Sequence, residues 1–259
     1  MPRFSANLSM LFNEVDFMER FARAREAGFE GVEYLFPYAW SAQEIARELE
    51  VNNLTQVLFN LPPGDWDAGE RGIACLPDRM DEFRDGVDRA IAYARELGCR
   101  QVNCLAGLKP ADLDEEAAWK TLVANVRYSA ERLDAEGITL CLEAINSRVD
   151  MPGFFLDTSG KVLALIEEVE MDNVRLQYDL YHMQIMEGDL IRTMECLLPW
   201  IGHIQFADNP GRNEPGTGEI NFSNVFAAID RLDYDGWVGA EYRPSGNTEA
   251  SLAWFSGQS

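Results

Sequence analysis

Positive charge and histidine are scarce in this sequence. Its 259 residues include 22 Lys and Arg against 44 Asp and Glu, which gives a formal net charge of −22, and the two histidines are His182 and His203. Proteins that bind nucleic acids or anionic membrane surfaces do so with clustered Lys and Arg, so this balance argues against both kinds of partner. Two histidines are also too few for a nuclease site that holds several zinc ions.

Long apolar runs and paired cysteine motifs are absent as well. No apolar run approaches the length of a membrane span, and the residues from Met1 to Met10 lack the apolar core of a signal peptide. The cysteines are odd in number and form no C-x-x-C motif, which indicates reduced thiols; they are Cys75, Cys99, Cys104, Cys141 and Cys196. We therefore expect a soluble cytoplasmic protein without a membrane partner. Its oligomeric state stays open, a homo-oligomer included.

Short β-type runs alternate with helical patterns from one end of the chain to the other. The predicted strands are Phe4–Met10, Gly31–Leu35, Leu54–Asn60, Gln101–Leu105, Ile138–Glu143, Val174–Tyr178, Gly202–Phe206 and Trp237–Glu241. The predicted helices are Glu14–Ala27, Ala42–Asn52, Asp78–Leu97, Ala111–Glu136, Ser159–Val169, Gly188–Leu198, Phe222–Leu232 and Asn247–Phe255. Eight βα units favour a single (β/α)8 TIM barrel of the α/β class over a doubly wound sheet, because no G-x-G-x-x-G motif follows a strand. No change of composition divides the chain, so we expect one domain over residues 1–259.

Oxygen-donor side chains stand at the ends of four consecutive predicted strands: Glu143, Asp179, Gln205 and Glu241. In a TIM barrel the carboxyl ends of the strands form one rim, where the active site lies. A single buried carboxylate is often bonded to backbone N–H groups or to an arginine, but four oxygen donors that converge on one rim indicate a hard divalent cation. The scarcity of histidine favours Mg²⁺ or Mn²⁺ over zinc as that cation.

The two histidines lie close to these strand ends. His182 follows Asp179 by three residues, and His203 precedes Gln205 by two. We interpret His203 as a hydrogen-bonded residue of the core, although residues two apart on a strand share a face and His203 could therefore reach the site. His182 could donate a hydrogen bond to a substrate oxygen.

Several longer segments resemble one known family. They are NLSMLFNEVDF, FEGVEYLFPY, FNLPPGDWDAGERGIACLP, LQYDLYHMQIMEGDL, GHIQFADNPGRNEPGTGEINF and GWVGAEYRP, and they span nearly the whole chain. In these motifs the chain is similar to the hydroxypyruvate isomerase family, which belongs to the xylose-isomerase-like TIM barrels and includes 2-oxo-tetronate isomerases. The resemblance implies a metal-assisted aldose–ketose isomerisation of a small oxo-hydroxy acid, either hydroxypyruvate to tartronate semialdehyde or a 2-oxo-tetronate.

The resemblance also implies roles for individual residues. Carried over by motif, the ligands of the divalent metal would be Glu143, Asp179, Gln205 and Glu241. Glu143 and Glu241 would also act as the acid and base, and His182 would bind the substrate. The chain departs from the family at Asn213, where the family has histidine. That difference leaves the identity of the substrate more open than the class of reaction.

Isomerisation of this kind moves a proton between neighbouring carbons through an enediolate, whose negative charge a divalent cation can stabilise. Glu143 and Glu241 lie on strands five and eight, roughly opposite in the ring, and could bracket a small substrate. An anionic substrate needs local positive charge, and a guanidinium group binds a carboxylate through two bonds. Our candidates are Arg71, in a Gly-rich loop within Leu61–Pro77 that could close as a lid, and Arg212, after strand seven.

Three other functions stay open on the sequence. A 3-epimerase of free ketoses would use the same metal and the same glutamates with a different pocket. A metal-dependent phosphodiesterase or nuclease on the same barrel agrees less well with two histidines and strong acidity. A non-catalytic sugar-acid-binding protein would bind its ligand without needing both Glu143 and Glu241.

Overall fold

Eight parallel strands pair in sequence order and close into a barrel in the computed structural model, which describes residues 2–256. The strands are β1 (Arg3–Asn7), β2 (Gly31–Glu33), β3 (Thr55–Asn60), β4 (Gln101–Cys104), β5 (Thr139–Glu143), β6 (Val174–Asp179), β7 (Ile201–Phe206) and β8 (Trp237–Ala240). The barrel closes where β8 pairs with β1, with Ser5 opposite Gly239. Helices lie between the strands, so the predicted (β/α)8 TIM barrel is confirmed.

The α-helices follow the strands in a regular order. They are α1 (Arg20–Glu26), α2 (Ala42–Asn52), α3 (Met80–Leu97), α4 (Glu115–Asp134), α5 (Ser159–Val169), α6 (Leu180–Met186), α7 (Leu190–Leu197), α8 (Phe222–Arg231), α9 (Thr248–Ser251) and α10 (Ala253–Ser256). Their ends carry the expected signals. Ser41 and Glu44 form a reciprocal capping box at the start of α2, and Gly98 ends α3 in the left-handed conformation, with φ of +63°.

The structure differs from the sequence prediction mainly at element ends and at α6. Helix α6 was not predicted, because Leu180–Met186 continues the apolar run of β6. It begins there because the Asp179 side chain caps it, accepting hydrogen bonds from two backbone N–H groups of its first turn. Strands β1 and β2 end at Asn7 and Glu33, earlier than predicted.

Three predicted helices are shorter in the structure or divided. Part of the predicted helix Glu14–Ala27 is a 3₁₀ turn, Phe17–Glu19, which precedes α1. Helix α4 begins only after Asp114, whose side chain accepts from the backbone N–H of Ala117 at 3.0 Å. The predicted C-terminal helix is divided into α9 and α10.

Most of the apolar core lies between the outer face of the barrel and the helices. One aromatic cluster illustrates it: the Phe226 ring of α8 packs edge-on against Phe4 of β1 and Phe206 of β7, with centroids 5.0 and 5.2 Å apart. Trp254 closes this cluster from the C-terminal end of the chain, 5.0 Å from Phe206. Such aromatic burial ties the last helices to the first and seventh strands.

The inside of the barrel is polar towards the carboxyl ends of the strands. Buried side chains there bond to one another across the barrel; they include Ser5, Asn7, Glu33, Asn60, Asn103, Glu143, Gln177, His203 and Gln205. TIM barrels ordinarily fill this space with branched apolar side chains. A polar interior of this kind is costly unless its groups are paired, which marks this end of the barrel as functional.

The structure also bears on the cysteines and on membranes. All five cysteines are free thiols, and four of them are buried. Within the described part of the chain, none of the helices combines the length and the apolar character that a membrane span needs.

Candidate active site

The carboxyl ends of the strands surround a cavity of about 220 Å³. Its wall includes all of the predicted acid, base and substrate-binding residues, namely Arg71, Glu143, His182, Arg212 and Glu241. Asp179 and Gln205, the two other predicted metal ligands, are buried beside it on neighbouring strands, where they lie opposite each other in register. The sequence-predicted residues therefore meet at one rim of the barrel.

A buried carboxylate oxygen of Asp179 lacks a hydrogen-bond donor. Asp179 Oδ1 accepts from the backbone N–H groups of Tyr181, at 2.7 Å, and His182, at 3.3 Å, whereas Oδ2 has no hydrogen-bond partner among the described residues. Asp179 and Glu143 each offer a carboxylate oxygen, and these atoms lie within 4.8 Å of each other. An unpaired buried carboxylate oxygen is costly, and a divalent cation would satisfy it. The donor set therefore fits a cation.

The hydrogen bonds of Asn146 fix the orientation of its amide. Its Oδ1 accepts from the backbone N–H groups of Val149, at 3.0 Å, and Asp150, at 2.9 Å. Its Nδ2 therefore faces His182 Nδ1, 2.7 Å away, and donates to it. A neutral imidazole that accepts at Nδ1 carries its proton on Nε2.

His182 consequently presents an N–H group to the cavity. Its Nε2 lies 3.8 Å from Glu143 Oε1 and 3.8 Å from Asp179 Oδ2. Burial, and then the nearby Arg212, lower the pKa of His182 well below its usual value, so the ring is neutral. A protonated Nε2 does not bind a metal but can donate to a substrate oxygen, in agreement with the role that the sequence suggested.

The two glutamates differ in their hydrogen bonds. Glu143 Oε2 accepts from Asn103 Nδ2 at 3.1 Å. Glu241 accepts from Asn7 Nδ2 at 3.1 Å and from the Arg212 guanidinium at 3.1 Å. Burial, followed by the charge of Glu241, raises the pKa of Glu143 well above its usual range. Burial also raises the pKa of Glu241 to about 8, although Arg212 opposes this shift. Both carboxyl groups therefore hold a proton more strongly than an exposed glutamate does, which suits them to proton exchange.

Arg212 reaches the site because the loop after β7 is held in place by one buried side chain. Asp208 Oδ2 accepts from the backbone N–H groups of Gly216 and Gly218, both at 2.9 Å, and its Oδ1 accepts from that of Ile220 at 3.1 Å. Arg212 is buried, its backbone lies in the left-handed region with φ of +55°, and its Nε has no hydrogen-bond partner among the described residues. That buried Nε–H is an unpaired donor on a side chain that lines the cavity.

Arg71 enters the cavity from the long loop predicted as a lid. Its guanidinium lies 4.1 Å from the centroid of the Trp66 ring, and its NH1 donates to the carbonyls of Trp66, at 3.0 Å, and Glu70, at 2.7 Å. Both Arg71 and Trp66 line the cavity. One nitrogen of Arg71 therefore supports the loop, and its other N–H groups can face a ligand.

Asn213, the departure from the family pattern, acts on the backbone. Its Nδ2 donates to the carbonyl of Arg243 at 2.7 Å, and its own carbonyl accepts from the N–H of Asp208 at 2.8 Å. It thus joins the loop after β7 to the segment after β8.

Comparison with known proteins gives the family. Residues 21–258 match the xylose isomerase-like TIM barrel family. A hydroxypyruvate isomerase of Escherichia coli K12 is 54% identical over 98% of each chain, and a 2-oxo-tetronate isomerase of Cupriavidus necator is 47% identical over 98% of each chain. A solved structure from Brucella melitensis, described as an AP endonuclease of family 2, is 50% identical over 99% of each chain with a TM-score of 0.97. The chain belongs to the xylose isomerase-like TIM barrel family. The resemblance to the hydroxypyruvate isomerase family is confirmed, and with it the prediction of an isomerase of that type.

Sequence reasoning missed several residues that line this family member's cavity or bond to its lining. Arg243 also lines the cavity, and it follows Glu241 by two residues, a spacing that could have identified it. Asn7 and Glu33 are the last residues of their strands, but both predicted strands extended beyond them. Asp150 and Asn146 lie in the loop after β5, and no sequence signal pointed to them.

The raised pKa of Glu241 predicts how stability depends on pH. Because its pKa rises from 4.5 to about 8 on folding, the folded protein retains a proton that the unfolded chain has lost between these values. We expect chelator-treated protein to lose stability as pH rises from 7 to 8, by up to about 1.4 kcal/mol for each such carboxyl. Urea unfolding measures it, and Glu241→Gln should give a smaller slope. Equal slopes in the two proteins would contradict this assignment.

Proposed function

We propose that this protein is a metal-assisted aldose–ketose isomerase of a small oxo-hydroxy acid. The preferred reaction is hydroxypyruvate to tartronate semialdehyde, with a 2-oxo-tetronate as the other candidate substrate. The observation that carries the proposal is the meeting of two buried glutamates, a neutral histidine N–H and three arginines in one cavity of about 220 Å³. The names of the Escherichia coli and Cupriavidus necator relatives support it. We further propose that the chain acts as one domain over residues 1–259, in the cytoplasm.

The proposed cation ligands are the oxygens of Glu143, Asp179, Gln205 and Glu241. The unpaired Asp179 Oδ2 supports this set, and an all-oxygen donor set suits Mg²⁺ or Mn²⁺. A cation bound there would stabilise the negative charge that develops on the substrate oxygens during enolisation.

The two glutamates carry the proton transfer in this proposal. In hydroxypyruvate a proton must leave C3 and a proton must return to C2, while the hydroxyl proton on C3 is lost and the C2 oxygen gains one. Glu143 and Glu241 reach the cavity from the ends of β5 and β8, so one carboxylate can take the proton and the other can return it. In the reverse direction their roles exchange.

His182 and the arginines bind the substrate in this proposal. The N–H at His182 Nε2 donates to an oxygen at the reacting carbons, where charge builds up. The carboxylate of the substrate is bound by Arg71 or Arg212, whose guanidinium groups line the same cavity.

The name of the Brucella melitensis structure raises the alternative of phosphodiester hydrolysis. We do not propose it, because three acidic residues, Glu143, Asp150 and Glu241, line the cavity and the net charge is −22. A panel of hydroxypyruvate, 2-oxo-tetronates, free ketoses and an abasic-site DNA, assayed with added Mg²⁺ or Mn²⁺, distinguishes the alternatives. Turnover confined to free ketoses or DNA would refute the proposed function.

Removal of the metal should abolish turnover. Oxygen ligands exchange a divalent cation more readily than thiolates do, so prolonged chelation should empty the site. We expect Mg²⁺ or Mn²⁺ to restore the activity of the chelated protein. Elemental analysis of each preparation is the control, and full activity in metal-free protein would contradict the proposal.

Substitution of either glutamate should slow the reaction. We expect Glu143→Gln and Glu241→Gln each to lower kcat by about two orders of magnitude or more, because a glutamine keeps the shape but cannot exchange the proton. Glu195→Gln, on the exposed face of α7, is the matched control and should leave kcat unchanged. A variant with near-normal kcat and bound metal would exclude its glutamate from proton transfer.

Substitution of the arginine that binds the substrate carboxylate should raise KM. Arg71→Lys or Arg212→Lys keeps the charge but loses the two-bond geometry, which should weaken binding of an acid substrate by about 1–3 kcal/mol. We prefer Arg71, since Arg212 already donates to Glu241. Dihydroxyacetone and glyceraldehyde, which have no carboxylate, are the control substrates. Equal losses on acid and neutral substrates would show that the substituted arginine supports the loop instead.

A further inference from the structure

Glu33 is a buried carboxylate that the proposed reaction does not use. It ends β2, and its carboxyl group extends across the barrel towards β1, β7 and β8. Its Oε2 accepts from Ser5 Oγ at 2.8 Å and from His203 Nε2 at 2.9 Å. Gly239 makes room for it, because a Cβ there would collide with both carboxylate oxygens.

The other oxygen of Glu33 points towards the proposed cation ligands. Glu33 Oε1 accepts from Gln205 Nε2 at 2.7 Å and from Asn7 Nδ2 at 3.3 Å. The same Asn7 Nδ2 donates to Glu241 Oε1 at 3.1 Å. Glu33 therefore contacts one proposed ligand directly and is one residue removed from another.

The amide of Gln205 could point in either direction without Glu33. Its Oε1 accepts from Gln177 Nε2 at 2.6 Å, and Gln177 Oε1 has no hydrogen-bond partner among the described residues. If both side-chain amides rotated by 180°, Gln205 Nε2 would donate to Gln177 Oε1. The hydrogen bond between the two side chains would therefore form equally well with both amides reversed. The reversed pair would direct an NH₂ group, which cannot bind a cation, to the place of the Gln205 oxygen.

The carboxylate of Glu33 removes this ambiguity. It only accepts hydrogen bonds, so the amide group of Gln205 that faces it must be the NH₂, and the oxygen must face away. We infer that Glu33 is a positioning residue that makes Gln205 present its oxygen to the cation. The inference rests on the proposed function, in which Gln205 Oε1 is a cation ligand. Hydrogen bonds of this kind to a ligand orient it and affect metal affinity.

Exchange of the two side chains tests the inference. In Glu33→Gln the new NH₂ would turn the Gln205 amide around, so the dissociation constant for Mn²⁺ should rise about 10- to 100-fold. In the double variant that combines Glu33→Gln with Gln205→Glu, the new amide NH₂ at position 33 donates to the new carboxylate at position 205. That carboxylate offers the cation an oxygen in either orientation. The bonds of Ser5 and His203 to residue 33 are kept and only the 3.3 Å bond from Asn7 is lost, so Mn²⁺ affinity should recover.

Mn²⁺ binding is measured by electron paramagnetic resonance titration, beside thermal unfolding of every protein. Ser5→Ala is the matched control, because it removes a donor to Glu33 Oε2 and leaves Oε1 bonded to Gln205; its Mn²⁺ affinity should stay close to that of the wild type. Rescue of Mn²⁺ affinity by the exchanged pair is a result that a merely structural role of Glu33 would not produce.

The outcomes separate this inference from the proposed function. Wild-type affinity in Glu33→Gln, or an exchanged pair that lacks the Mn²⁺ site or does not fold, would overturn the positioning role alone. If Glu33→Gln does not fold, the exchanged pair decides the question. Absence of a stoichiometric Mn²⁺ site in the wild-type protein would overturn the proposed function, and this inference with it.

Discussion

Four carboxyl groups are buried together at one end of the barrel, and each needs a hydrogen-bond donor, a cation or a proton there to offset the cost of its burial. Burial of an unpaired ionised carboxylate is costly, so the surrounding residues decide which of the four keeps its charge. The four are Glu33, Glu143, Asp179 and Glu241, each at most 5% exposed. The polar interior, the loop after β7 and the start of α6 all supply hydrogen bonds to this group.

The groups that offset burial differ from one carboxylate to the next, and so does the direction of the pKa shift. Burial alone would raise the pKa of Glu33, but His203 and the hydrogen bonds of Gln205 and Ser5 hold it below the usual value. Glu143, which accepts from Asn103, has a pKa raised well above the usual range. In the proposed reaction, Glu33 would serve as a fixed charge and Glu143 as a group that exchanges a proton. A site for proton transfer needs both kinds, because a positioning group must stay ionised while the acid and base change state.

Much of the barrel could be predicted because its signals are local. Ser41 begins α2, Gly98 ends α3, and the strand ends at Glu143 and Asp179 follow from short apolar runs. The metal-ligand set and the roles of the glutamates remain predictions.

The features of the site that the sequence did not predict depend on contacts between residues distant in sequence. The burial of Arg212 depends on Asp208 holding the loop after β7, and the tautomer of His182 depends on Asn146 of another loop. Glu33 was not recognised as a strand-end carboxylate because β2 ends two residues earlier than the predicted strand Gly31–Leu35. An error of two residues at a strand end was enough to conceal a buried carboxylate that contacts Gln205.

The acidity of the whole chain does not prevent it from binding an anion. Charges on the outer surface are screened over about 8 Å at physiological ionic strength, whereas buried charges are screened much less. Arg212 is buried beside the cavity, and its NH1 lies 3.8 Å from Asp150 Oδ1 while its NH2 donates to Glu241. The same guanidinium therefore opposes the rise in the pKa of Glu241 and supplies positive charge inside the acidic cavity. In the proposed reaction, an anionic substrate in this cavity would oppose the effect of Arg212 on Glu241 and make this carboxylate a stronger base, so substrate binding and proton abstraction would be linked through one side chain.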